Sequence, residues 1–202
     1  MIVCLRIQSN NTIMKKFSIL ALLFIVALSS CKKDDDQDTV TPTPPNEEEV
    51  ITKMEVRLSP SMGGDTVIMT FNDPDGDGGV DPTITGGILA ANTDYSGDIQ
   101  LYNETETPIE IVTEEILEED DEHQFFFDVQ LGATTWAYAD MDDNMNPIGQ
   151  MFTLTTADAL SGTIKVTLRH EPEKEAEGVS DGDITNAGGE TDIEVEFDVE
   201  VQ

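Results

Sequence analysis

Near the carboxyl end of the chain, Ile193, Val195, Phe197, Val199 and Val201 alternate without a break with Asp192, Glu194, Glu196, Asp198 and Glu200. A helix would scatter those five apolar residues around its circumference. An extended strand puts them all on one side. The run therefore predicts a strand with a core-facing apolar side and a fully acidic outer side.

The same period recurs. Thr52, Met54, Val56 and Leu58 alternate with Lys53, Glu55 and Arg57, and Ile164, Val166 and Leu168 with Lys165, Thr167 and Arg169. Phe125, Phe127, Val129 and Leu131 follow the same rule after Phe126. Weaker strands fall at 66–71, 96–102, 134–140 and 148–155, separated by clusters of Gly, Asn, Asp and Pro. Eight or nine antiparallel strands with one wet face predict an all-β fold, an antiparallel β-sandwich of Ig-like or Greek-key type over residues 50–202. One segment departs from the pattern. Ile111, Val112, Ile116 and Leu117 recur at helical steps in a Glu-rich run, which predicts a short amphipathic helix near 111–122.

Ahead of the domain, Lys15 and Lys16 precede an apolar run from Phe17 to Leu28 that is interrupted only by Ser18. This is the layout of a secretory signal, and it is shorter than the roughly 20 apolar residues a spanning helix needs. Leu28-Ser29-Ser30-Cys31 resembles the lipobox of bacterial lipoproteins. That resemblance implies cleavage before Cys31, lipidation of its thiol, and a membrane anchor of several acyl chains. Met14-Lys15-Lys16 begins an ordinary n-region, so 1–13 read as an upstream start artefact, 14–30 as the signal peptide and 31–49 as an acidic, Pro-rich tether. The mature chain then has no free cysteine, which leaves it neither disulfides nor thiolate metal ligands. Lys32-Lys33-Asp34-Asp35-Asp36 resembles the surface-export signal of Bacteroidota lipoproteins. It implies an outer-membrane location facing the medium, with a periplasm-facing anchor as the alternative.

Charge narrows the partners. All 42 Asp and Glu follow Cys31 but only 7 of the 10 Lys and Arg do, so the mature chain carries −35. Such a surface repels nucleic acid and anionic lipid and attracts cations.

Three constellations carry candidate chemistry. Asp73, Asp75, Asp77 and Asp81, with Gly76 at the sixth position, have the opening spacing of a calcium loop but Ile84 where an EF-hand has its bidentate Glu. Asp140, Asp142 and Asn144 repeat the spacing between two strands, with Met145 in place of the glycine. His123 and His170 are each in phase with the apolar face of a strand, and Glu119 lies one helical turn before His123. Two imidazoles and a carboxylate can bind zinc, copper or iron, or the pair can hold a haem. No Gly-x-Ser-x-Gly elbow, phosphate loop or His-Glu-x-x-His helix occurs, and no enzyme is expected.

The segments Asp121–Phe127, Thr167–Pro172 and Ser180–Phe197, together with the lipoprotein start, resemble small Bacteroidota surface lipoproteins often labelled "type 1 periplasmic binding fold superfamily protein". The label implies ligand capture and a two-lobed α/β fold. The chain is about half the length that fold requires and lacks its alternating strands and helices. The resemblance therefore brings the family and not the fold, and no functional residue comes with it. The leading expectation is a lipid-anchored, non-enzymatic ligand-binding module stabilised by calcium. The alternatives are transition-metal or haem capture in partnership with an outer-membrane transporter, and a structural or adhesive surface protein.

Overall fold

A computed structural model describes residues 49–76 and 78–202. Cys31, the signal segment, nearly all of the tether, and Asp77 of the first acidic loop lie outside the described residues. Among the described residues ten strands form two sheets. β1 (Lys53–Pro60), β2 (Val67–Asn72), β3 (Thr83–Thr85), β4 (Gly87–Leu89) and β5 (Asp94–Tyr102) come first, followed by helix α1 (Val112–Glu118). β6 (His123–Gln130), β7 (Thr135–Tyr138), β8 (Met151–Thr155), β9 (Leu160–His170) and β10 (Glu190–Val201) complete the chain. One sheet has the order β3-β2-β1-β5-β8-β7 and the other β4-β10-β9-β6.

This is the expected all-β sandwich, and the alternation explains it. Met54, Val56 and Leu58 of β1 and Ile99 and Leu101 of β5 face Phe125, Val166, Leu168, Val195 and Phe197 of the other sheet in one buried cluster. Each such side chain contributes about 1.5–3 kcal/mol when fully buried. The acidic partners of the β10 residues from Glu194 onward are exposed.

Three features differ from the sequence expectation. β3 and β4 are three-residue strands that the alternation is too short to reveal, and β4 pairs in parallel with β10. The chain passes from one sheet to the other between them at Gly86, where a Cβ would stand 1.8 Å from the Asp198 carbonyl oxygen. The helix is also shorter than 111–122. It ends at Glu118, and residues 119–122 form the turn that delivers the chain to β6. Asp120, Asp121 and Glu122 are therefore turn residues. Val112, Thr113 and Ile116 are its buried face. The Thr113 hydroxyl receives the Leu101 N–H at 2.6 Å, tying the helix to β5.

The long connection from β9 to β10 covers the outer face of β6. Phe126, which the alternation leaves facing out, is buried there with Val179 and Ala187. Lys174 on the same connection is buried against Asp142, with Nζ 3.1 Å from Oδ2, and also donates to the Asp120 carbonyl. Among the described residues no helix is long and apolar enough to cross a membrane.

A buried two-histidine, one-carboxylate site

β6 and β9 are antiparallel neighbours in a register that pairs His123 directly with His170. Sequence phase places both imidazoles on the core side, and the register brings them together. Their ring centroids are 4.8 Å apart with planes tilted by 48°. His123 is fully buried and His170 nearly so.

The third member comes from an irregularity in β10. Thr191 pairs with Arg169 and Ile193 with Leu168, which leaves Asp192 as an additional residue between them. On the outer face, Arg169 binds the Thr191 hydroxyl and the carbonyls of Gly188 and Gly189, the latter at 2.7 Å. Thr191 is thereby held outward while Ile193 faces the core. The bulge residue between them turns inward as well. The Asp192 side chain, expected on the acidic outer face, has no exposure at all. Its Oδ1 is 3.5 Å from His170 Nδ1 and its Oδ2 is 3.9 Å from His123 Nε2.

The protonation pattern follows from the surroundings. His123 Nδ1 lies 3.1 Å from the Glu119 carbonyl oxygen. A carbonyl only accepts, so Nδ1 carries the hydrogen and Nε2 carries the lone pair. Burial, partly offset by that hydrogen bond, pushes the His123 imidazole down to about 4, so it is neutral at neutral pH. Its approach to Asp192 is then no ion pair. Nε2 is thus a buried lone-pair donor with no hydrogen-bond partner among the described residues.

Ligand atoms of His123, His170 and Asp192 all lie within 4.8 Å of one another. A tetrahedral ion with bonds of about 2.0–2.2 Å needs ligand atoms about 3.3–3.6 Å apart, so movements of up to about 1.5 Å would close the site. The backbone carbonyl behind His123 is the usual support for a metal-binding imidazole. A macrocycle does not fit the same pair. Haem needs its two imidazoles opposed across the iron, whereas these sit side by side on hydrogen-bonded strands.

Glu119 lies beside His123, as its spacing suggests. Its carboxylate is grouped with His123 and with Glu49, but not with His170. Glu49 was not legible as a site residue. Burial pushes its carboxyl up to about 7, helped first by Glu115 and then by Glu119 and Asp192. A third group, Glu122, His170 and Glu171, lies beyond His170.

The acidic loops look different. Asp140 Oδ1 accepts the Gly149 N–H at 2.8 Å and Oδ2 the Met151 N–H at 2.7 Å. Asp142 Oδ1 accepts the N–H groups of Asn144 and Asn146, and its other oxygen faces Lys174. Backbone donors and an ammonium already serve these carboxylates. In the first loop Asp75 and Asp81 are exposed and Asp73 is half-buried. Among the described residues, none of these loop carboxylates belongs to a group of three or more with metal-binding geometry. No family model matches the chain, and neither a curated protein nor a solved structure is similar to it.

Proposed function

We propose that this protein is a lipid-anchored envelope lipoprotein whose β-sandwich binds one divalent transition-metal ion through His123, His170 and Asp192. The observation that carries the reading is the inward turn of Asp192. A carboxylate on a strand whose other acidic residues face solvent is drawn wholly inside, opposite two imidazoles. One carboxylate and two imidazoles converging there make a donor set for a divalent cation.

Two imidazole nitrogens and one carboxylate suit zinc or iron(II). Calcium prefers six to eight oxygens at about 2.3–2.6 Å, which this set does not offer. The ligand side chains are 0%, 8% and 0% exposed for His123, His170 and Asp192, leaving no open approach for an organic substrate. The arrangement supports holding an ion, not turnover. The acidic surface favours cation encounter, and the anchor at Cys31 would keep the cargo at the envelope, where a transporter could receive it.

The test is a titration of the chelator-stripped domain with zinc and with calcium. The expected result is one zinc per chain, abolished in His123→Ala and in His170→Ala, and no competition by calcium. Equal zinc binding by all three proteins would refute the assignment.

A further inference from the structure

The buried triad has to be filled from outside, and a second set of donors stands next to it. Glu49, Glu119 and His123 bring ligand atoms within 4.8 Å of one another. Both carboxylates belong to half-buried residues, whereas the Asp192 and His123 side chains have no exposure. Glu49 is also near enough to Asp192 for the two charges to interact. The donors thus run from half-exposed carboxylates to fully buried imidazole and carboxylate.

His123 belongs to both sets but has one nitrogen to give. Nδ1 is committed to the Glu119 carbonyl, and only the buried Nε2, without a hydrogen-bond partner among the described residues, has a lone pair. It cannot serve two ions at once. Both sets draw on the same imidazole.

We propose that Glu49 and Glu119 form an outer loading position, in which a divalent transition metal is first held with His123 and from which it passes inward to His170 and Asp192. This rests on the proposed metal site and adds its route of filling. His123 is the pivot ligand throughout, so the ion is never bare in the low-dielectric interior, where an unpaired charge is costly. The elements involved are suited to the division of labour. The outer carboxylates come from the segment before β1 and from the turn after α1, while the inner ligands come from three neighbouring strands of the four-stranded sheet, β6, β9 and β10. The outer set can therefore shift without disturbing the sheet that fixes the inner one.

The experiment is stopped-flow exchange of zinc between a metallochromic indicator and the domain. It compares wild type, Glu49→Gln, the double variant Glu49→Gln/Glu119→Gln, and Glu114→Gln as an exposed control on α1. The account predicts one zinc per chain in every protein and an equilibrium affinity changed less than threefold. It predicts association and dissociation both slowed at least tenfold in the double variant and by an intermediate factor in Glu49→Gln. Rates equal to wild type would overturn the loading position. Two zinc ions per wild-type chain would overturn the single-ion pivot, and loss of binding in a folded double variant would make the carboxylates permanent ligands instead. Absence of zinc binding by the wild type would refute the inner site itself, a distinct outcome.

Discussion

Asp192 Oδ1 lies 3.5 Å from His170 Nδ1 inside the sandwich, although the acidic residues that follow it on β10 face solvent. With two imidazoles beside it, that carboxylate is placed to share a divalent cation with them.

Zinc should therefore stabilise the wild-type domain. At a free concentration of 100 times Kd, linkage gives about 2.7 kcal/mol, which for a domain of this size raises Tm by roughly 5–10 °C. Asp192→Asn should lose that response while melting, without metal, within a few degrees of wild type. Differential scanning calorimetry with zinc and with chelator checks both halves.

Arg169 is expected to matter without touching an ion. Its guanidinium holds Thr191 and the carbonyls before the strand on the outer face, and so sets the bulge that turns Asp192 inward. Arg169→Ala should weaken zinc binding about tenfold, or about 1.4 kcal/mol, by letting Asp192 drift. Isothermal titration calorimetry measures it, and an unchanged Kd would show that the bulge is held by other means.

Lys174 is predicted to be structural. Its ammonium is buried against Asp142, so Lys174→Met leaves an uncompensated buried carboxylate and should cost about 3–5 kcal/mol in urea unfolding. Zinc stoichiometry should stay at one. Because Lys174 already supplies the positive charge in this loop, calcium should not rescue the wild-type domain in the same assay.

Two groups set opposing pH dependences in the metal-free domain. His123 falls from its usual 6.5 to about 4 on folding, so its contribution is present above 6.5 and is lost as pH falls toward 4. Glu49 rises from 4.5 to about 7, so its contribution is present below 4.5 and is lost as pH rises through 7. They partly cancel between pH 4.5 and 6.5. Glu49→Gln removes one of them, and its Tm in chelator should fall more steeply than that of wild type from pH 6.5 to 4.5. Parallel melting curves would contradict the assignment of Glu49.

The strands were readable wherever the alternation runs for several residues, as in β10 and β9, because burial of one face imposes a period of two on the sequence. β3 and β4, with three residues each, are too short for a period to show. The phase of His123 and His170 was legible, but their contact was not. It depends on β6 and β9 being neighbours in one particular register, and that is a property of the whole sheet. Asp192 was misplaced on the outer face because a single bulge inverts parity locally, and nothing in Glu190-Thr191-Asp192 announces one. Glu49 was hidden for a plainer reason. It sits among the acidic residues that end the tether, where one carboxylate looks like the next.

Anomalous diffraction from zinc-loaded crystals tests the central claim most directly. The account predicts one peak, about 2.0–2.2 Å from His123 Nε2, His170 Nδ1 and an oxygen of Asp192. A peak only at the Asp73–Asp81 or Asp140–Asn144 loops, or no peak between the two histidines, would contradict it.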